Sequence, residues 1–282
     1  MSKMHQMKSI AIRALESNEE LENVRRLESI IWSEYESTPT HQTLTAIKNG
    51  GIVLGAFLDG ELIGFQYSFP GFDGNKSYLC SHILGIHPNF RKLGIGEKLK
   101  LQQIEESIKK GYDLITWTFD PLETVNGYLN FHKLGARSST YVENCYGEML
   151  DVLNHGMPSD RFIVQWWIKD KKIESENLEI EDRLREDSLL IKALVNPDGY
   201  LAPMEIDLTR HLETGLLFVP MPSDFQKLKQ DSSDLALSWR MNTRHVFMHY
   251  FKKGWIVIDL IRRQSDSDIC FYVLKKSTKS LS

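Results

Sequence analysis

The residues best suited to chemistry lie between Ile86 and Glu97, in the stretch IHPNFRKLGIGE. This pattern predicts the end of a strand, a turn, and a loop with Gly94 and Gly96 that leads directly into a helix. Because glycine has no side chain, the loop backbone can approach a ligand closely, and the first free N–H groups of the helix point toward it. The loop therefore suits a diphosphate, although a tight turn that only starts a helix would show the same two glycines.

The elements that must position this loop can be predicted from their periodicity. A strand over 78–86 precedes the loop, and a helix follows that ends at Lys109-Lys110-Gly111, two cations and a glycine typical of a helix C-terminus. The β-branched and aromatic stretch 112–119 predicts the next strand. We expect the helix to bury an apolar face formed by Ile95, Leu99, Leu101, Ile104 and Ile108.

Two nucleotide-binding patterns are excluded at this loop. No Gly-Lys-Ser/Thr follows the glycines, as a P-loop requires, and the third glycine of a dinucleotide fingerprint is missing. The sequence resembles instead the acyl-CoA signature of the GNAT superfamily of N-acetyltransferases, Arg/Gln-x-x-Gly-x-Gly/Ala. The resemblance implies that six residues bind the diphosphate of an acyl-CoA: Arg91, Lys92, Leu93, Gly94, Ile95 and Gly96.

The resemblance extends beyond the signature. Helical patterns at 21–35 and 40–48 precede a hairpin around Asp59-Gly60, a strong two-residue turn signal. A Lys133-Leu134-Gly135 turn follows the next helix, where family members have a similar turn. The order of elements over 8–169 is similar to the GNAT fold, so the expected fold class is α/β (α+β). The resemblance implies a central mixed, twisted sheet flanked by helices, followed by a smaller GNAT-like half.

The resemblance also implies where the acyl group would be transferred. In this family the acyl-pantetheine arm enters a gap between the strands before and after the signature, so Leu84, Gly85 and Ile86 are expected to contact it. His82 is the first choice for the general base, at a place where relatives often carry glutamate. An imidazole titrates near neutral pH and can accept a proton. A histidine packed on a strand face is the open alternative.

The remaining catalytic candidates are less well placed by the pattern. Asp120 ends the next predicted strand and is either a second base or the cap of a turn before Pro121. Where many relatives have a tyrosine that protonates the leaving thiolate, this chain has Phe131, which cannot donate a proton. Tyr128, one turn earlier, or Tyr146 could substitute, or water could protonate the thiolate.

Composition narrows the class of protein. The chain has 282 residues with 41% hydrophobic and 26% charged residues and a net charge of −4, so no basic footprint points to nucleic acid. No apolar stretch has the length of a membrane span. The three separate cysteines form no CxxC pattern and the histidines no His-Glu-x-x-His pattern, so we expect no metal and a reduced, cytoplasmic location.

The second half, 170–282, contains an approximate echo of the first. A Pro-containing turn with Phe225 recurs, and Phe251-Lys252-Lys253-Gly254 parallels Ile108-Lys109-Lys110-Gly111. The echo predicts an internal duplication whose second copy has lost the glycines, with Asp231 and Asp234 in a place where they would repel a diphosphate. An unrelated extension with a chance match is the alternative. Either way we expect the domains 8–169 and 170–282, with one cofactor site.

Three functions follow from these observations. The first is an N-acetyltransferase that uses acetyl-CoA as acyl donor, without a metal, and acts on an amine of a small molecule. The second is a catalytically silent acyl-CoA sensor, which Phe131 favours. The third is an interaction protein whose second half supplies a partner surface. Under the first, the chain is a monomer or a homodimer.

Overall fold

The chain contains both strands and helices in a computed structural model that describes residues 9–34, 37–149, 155–170, 180–210, 215–262 and 268–277. The contacts divide the chain into two compact units. The first unit runs to Trp117 and includes Trp167–Lys169, and the second consists of Thr118–Trp166 and the chain from Asp170 onward. The borders thus lie between Trp117 and Thr118, between Trp166 and Trp167, and between Lys169 and Asp170. The predicted domains 8–169 and 170–282 stay a prediction about the origin of the two halves.

The first unit follows the predicted order of elements. Its helices and strands are β1 Ala11–Ala14, α1 Asn18–Ile31, α2 Thr40–Lys48, β2 Ile52–Leu58, β3 Glu61–Phe72, β4 Ser77–Ile86, α3 Ile95–Lys109 and the start of β5 Leu114–Phe119. Local signals in the sequence explain several boundaries. Ser17 and Glu20 form a capping box at the start of α1. Asp59 and Gly60 both have positive φ in the turn between β2 and β3, as a two-residue hairpin requires.

The strands of the first unit form a sheet in the order β1-β2-β3-β4-β5. The first three pairings are antiparallel, and β4 pairs with β5 in parallel. The two helices before the hairpin pack on one face of this sheet around Leu21, Val24, Leu27, Phe65 and Tyr67. In the sequence, β4 comes directly before the glycine loop, and β5 comes after the helix α3 that follows the loop.

The second unit contains the rest of the elements. They are α4 Thr124–Gly127, a π-helix Tyr128–Lys133, β6 Arg137–Val142, β7 Arg161–Trp167 up to Trp166, β8 Ile191–Val195, β9 Leu201–Ile206, β10 Leu216–Pro222, α5 Phe225–Asp231, α6 Ser233–Lys252, β11 Trp255–Arg262 and β12 Ile269–Lys276. Its larger sheet has the order β7-β6-β11-β12-β10, and β8 and β9 form a separate pair. The mixed α/β architecture predicted from the sequence is confirmed.

The second half repeats the order strand, helix, strand, but its strand pairing differs from that of the first unit. Both β10 and β11 pair antiparallel with β12, which lies between them, whereas β4 and β5 are direct neighbours. The stretch that would replace the glycine loop is helical, because α5 covers Phe225–Asp231 and Asp224 caps it through the N–H of Lys227. The internal duplication stays a prediction that this pairing does not support.

Candidate functional site

The parallel strands β4 and β5 separate soon after they meet. Two residue pairs join them, Leu79 with Ile115 and Cys80 with Thr116, and the ladder then stops. Within the described residues, the remainder of β4, from Ser81 to Ile86, pairs only with β3. The edge of β4 that faces β5 therefore offers backbone N–H and C=O groups to a ligand beyond Cys80. We call this opening the strand gap.

A β-bulge lies in β4 at the start of the strand gap. Tyr67 pairs with Ile83 and Ser68 with Ser81, which leaves His82 without a partner on β3. The His82 ring contacts the rings of Tyr67 and Phe69, with centroids 5.9 Å and 5.4 Å away. Its outer side is exposed to solvent. Partial burial against these rings lowers the pKa of His82 below its ordinary value of 6.5, so the imidazole is neutral at pH 7 and able to accept a proton.

The loop at the end of β4 adopts the backbone conformation that its glycine permits. Lys92 has φ +66° and Gly94 has φ +72°, and α3 begins directly after at Ile95. A side chain at Gly94 would meet no other atom within 4 Å, so the space above this residue is open. Arg91, Lys92 and Leu93 are exposed. Free N–H groups of the first helical turn, two cations and open space are what a diphosphate needs.

The three residues expected to contact pantetheine lie at the end of β4. Leu84 pairs with Gln66, Gly85 with Phe65 and Ile86 with Gly64, so one edge of this stretch is occupied by β3 and the opposite edge faces the strand gap. Backbone groups alternate between the two edges, and the N–H of His87 donates to β3, so the groups of Leu84 and Ile86 are the ones directed to the gap. A Cβ at Gly85 would lie 2.6 Å from Cε1 of Phe65 and 2.8 Å from Cδ1 of Ile31. Packing against β3 and α1 thus explains why glycine occupies this position, and Gly85 gives no separate argument for a ligand.

The buried face of α3 is not the predicted apolar one. Leu101 and Ile108, which were expected in the core, are 49% and 47% exposed. The helix buries Ile95 and Leu99 together with three polar residues instead: Lys100, Gln103 and Ser107. The prediction was wrong because it assumed that this face must be apolar, whereas the sheet beneath it presents polar partners.

Those partners and the helix residues form what we call the polar cluster, which consists of Gln66, Ser68, Ser81, Lys100 and Gln103. The hydroxyl oxygen of Ser81 accepts hydrogen bonds from Nζ of Lys100 at 2.8 Å and from Nε2 of Gln66 at 3.2 Å. Nε2 of Gln103 donates to the hydroxyl oxygen of Ser68 at 2.7 Å. Hydrogen bonds within the cluster offset much of the cost of burying it.

Asp120 lies in the second unit and is held on both carboxylate oxygens. The guanidinium of Arg240, which is fully buried, donates to Oδ1 at 2.8 Å and also to Oδ2. Oδ1 accepts in addition the N–H of Leu122 at 2.8 Å, which caps the turn after β5. Arg161 comes within 3.8 Å of Oδ2. These contacts support the turn-capping alternative for Asp120 over a role as base.

The tyrosines that could replace Phe131 as proton donor are also in the second unit. Phe131 itself is 1% exposed and packs edge-on against Tyr272, with centroids 5.9 Å apart. Tyr128 stacks on His132 at 4.5 Å and lies beneath the guanidinium of Arg262 at 4.9 Å. The hydroxyl of Tyr146 hydrogen-bonds that of Thr118, near the end of β5, at 2.7 Å. The family motif did not predict the hydrogen bond between Tyr146 and Thr118.

Four further observations concern the cysteines, possible metal ligands, Arg161 and the helices. The three cysteines are free, and the described residues contain no group of histidines, cysteines or carboxylates able to hold a metal ion. Arg161, at the start of β7, is buried and donates to the carbonyl oxygen of Asp160 at 2.9 Å. None of the helices in the described part of the chain has the length and apolar character that a membrane crossing requires.

Comparison with known proteins gives a family match for the part of the chain that contains β4 and β5. Residues 21–136 match the model of the acetyltransferase (GNAT) family, which is less than half of the chain. No curated protein matches the sequence.

Three solved structures are similar to part of this chain. A putative acetyltransferase, yncA, from Salmonella typhimurium with acetyl-CoA is 18% identical, with a TM-score of 0.47 over 58% of this chain and 96% of that one. The ribosomal-protein-S18-alanine N-acetyltransferase from Escherichia coli is 15% identical, with a TM-score of 0.47 over 59% and 98%. Arabidopsis thaliana Naa50 with a bisubstrate analogue is 14% identical, with a TM-score of 0.44 over 56% and 97%.

Proposed function

We propose, from the match of residues 21–136 to the model of the acetyltransferase (GNAT) family, that the chain transfers acetyl from acetyl-CoA to an amine of a small molecule. The observation that carries the proposal is the strand gap with the signature loop at its open end. The pairing between β4 and β5 stops after Cys80, so the last six residues of β4 have no partner on the side of β5. The loop with Gly94 lies beyond the end of this strand. An extended ligand with a diphosphate at one end fits this order of groups.

In this proposal the loop residues 91–96 hold the diphosphate. N–H groups of the first turn of α3 bind phosphate oxygens, and the side chains of Arg91 and Lys92 neutralise their charge. Backbone groups of Leu84 and Ile86, on either side of Gly85, hold pantetheine along the free edge of β4. A backbone N–H of the same edge polarises the thioester carbonyl, so that negative charge on its oxygen is stabilised as the amine attacks.

The amine must lose a proton to attack the thioester, and His82 is the proposed base. Its imidazole lies in the β4 bulge, at the beginning of the strand gap, and is neutral at pH 7. The nitrogen of the amine forms a bond to the carbonyl carbon, the bond from that carbon to sulfur breaks, and CoA leaves as thiolate. Water protonates the thiolate in this scheme, because Phe131 cannot.

Replacement of His82 tests this assignment. We expect His82→Gln to lower kcat/KM by about 10²–10⁴-fold, the contribution of a positioned base. In the unmodified protein, kcat/KM should stay constant on lowering the pH until it falls at a pKa below 6.5, because protonated His82 cannot accept a proton. The measurement is CoA release with acetyl-CoA and a panel of amines between pH 5 and 9. His245→Gln, an exposed histidine of α6, is the matched control.

The catalytically silent acyl-CoA sensor remains the second candidate, and the place of Phe131 favours it. Phe131 packs in an aromatic core, and it has no hydroxyl that could take the place of the family tyrosine as proton donor. Isothermal titration with acetyl-CoA and the amine panel distinguish the two functions. Binding with CoA release supports the enzyme, binding without release for any amine supports the sensor, and absence of binding contradicts both.

A further inference from the structure

Lys100 occupies an unusual position for a lysine. It lies in α3 with only 4% of its surface exposed, while Lys98 on the same helix is exposed. Lysine side chains are almost never fully buried unless they are paired with an opposite charge. Within the described residues, however, Nζ of Lys100 forms no ion pair, and its partners are the hydroxyl of Ser81 at 2.8 Å and the ring of Trp117, 3.7 Å from the centroid.

The two partners place the amine at the point where β4 and β5 separate. The last residues of the parallel ladder are Cys80 and Thr116. Ser81 and Trp117 are the next residue on each strand, and Nζ of Lys100 contacts both of them. The amine therefore lies at the closed end of the strand gap, whereas the diphosphate loop lies at its open end, after Ile86.

The surroundings of Lys100 favour the neutral, nucleophilic amine. Burial lowers its pKa from 10.5 to about 7, and the nearby thiol of Cys80 opposes this shift only in part. The groups that Nζ contacts are uncharged, namely the hydroxyl of Ser81 on β4 and the ring of Trp117 on β5, and the amide of Gln66 on β3 donates to the same hydroxyl. Cys80 on β4 is the titratable neighbour, and burial raises the pKa of its thiol, which keeps it protonated.

We propose that Lys100 is an internal acyl acceptor, modified by the acyl-CoA that the strand gap binds. This inference rests on the proposed acyl-CoA site. Nζ attacks the thioester carbonyl carbon, a carbon–nitrogen bond forms, and the bond from carbon to sulfur breaks. One proton passes from the nitrogen to the departing thiolate, so the products are free CoA and an amide on Lys100. The reaction needs no other reactant, and the amide that it forms cannot take up a proton as the amine can, so no charge can be buried at this position afterwards.

The experiment uses the unmodified protein, acetyl-CoA and mass spectrometry. Cleavage after Glu97 and Glu105 releases the peptide 98–105, which contains exposed Lys98 and buried Lys100 and so provides its own control. We expect Lys100 to be acetylated at least about tenfold faster than Lys98 at pH 7.5, because an ordinary lysine is almost entirely protonated there. An excess of CoA should suppress the reaction at Lys100 and leave Lys98 unchanged. The rate at Lys100 should increase with pH around 7 and level off above it.

Titration of the same samples with acetyl-CoA separates this inference from the proposed function. If acetyl-CoA binds but Lys100 stays unmodified, the inference is overturned and the proposed function stands. If Lys98 and Lys100 react equally, or CoA does not suppress the reaction, the modification is nonspecific and the inference also fails. If acetyl-CoA does not bind, both fail. Lys100→Arg should retain binding while the mass increase at position 100 disappears.

Discussion

Gly94→Glu is expected to raise the Kd for acetyl-CoA at least about hundredfold, the loss of two to three charge-assisted hydrogen bonds. Gly94 has φ +72°, a conformation that costs other residues about 1–2 kcal/mol. Its missing side chain points into open space at the N-terminus of α3. A carboxylate there would occupy the phosphate site and repel the diphosphate. Isothermal titration with acetyl-CoA and with CoA measures the change.

The control for this variant is Gly74→Glu. Gly74 also has a positive φ, +94°, and a Cβ at this position would likewise meet no other atom within 4 Å, but the residue lies in the turn before β4 rather than after it. The ten residues of β4 place the two glycines on the order of 30 Å apart. The strain and the added charge are thus alike, whereas the distance to the loop differs. Equal loss of binding in both variants would contradict a diphosphate site at Gly94.

Arg240→Met is expected to reduce the free energy of unfolding by about 3–5 kcal/mol, the usual cost of leaving a buried charge without its partner. Arg240 is fully buried, and its guanidinium contacts both carboxylate oxygens of Asp120, of which 13% is exposed. Methionine fills a similar space but leaves the carboxylate of Asp120 with Arg161 at 3.8 Å as its nearest cation. Urea denaturation followed by circular dichroism measures the loss.

Two further variants make this prediction specific. Arg210→Met breaks an ion pair of similar length, 2.8 Å to Asp207, but one that is accessible to solvent, so the expected loss is at most about 1 kcal/mol. Asp120→Leu combined with Arg240→Met should recover part of the stability, since neither charge then remains unpaired. A stable Arg240→Met protein with reduced turnover would instead return Asp120 to the catalytic candidates.

The sequence was sufficient to predict most elements of the first unit. Its signals are local, so they do not depend on distant packing. The Asp59-Gly60 turn and the pattern Lys109-Lys110-Gly111 at the end of α3 each act within a few residues of where they stand. The signature loop belongs to the same class, because its positive φ at Gly94 is a property of one residue.

The sequence did not predict how the elements contact one another. Periodicity placed Leu101 and Ile108 in the core and gave no reason to bury Lys100, yet the helix rotates so that Lys100 and Gln103 meet Ser81 and Ser68. The polar residues of the helix and of the strands satisfy one another's hydrogen-bonding groups, and neither segment alone indicates its partner. Asp120 is a similar case, since Arg240 follows it by 120 residues along the chain.

The amino-acid sequence by itself determined the signature, its loop and the family that these residues resemble, because a short backbone shape depends on a few neighbouring residues. Only the tertiary structure decided that β4 and β5 separate after Cys80 and Thr116, and that Lys100 lies at that point. It also paired Asp120 with Arg240. These outcomes depend on which residues meet across strands and helices far apart in sequence, where burial and hydrogen bonding, rather than local propensity, set the lowest free energy.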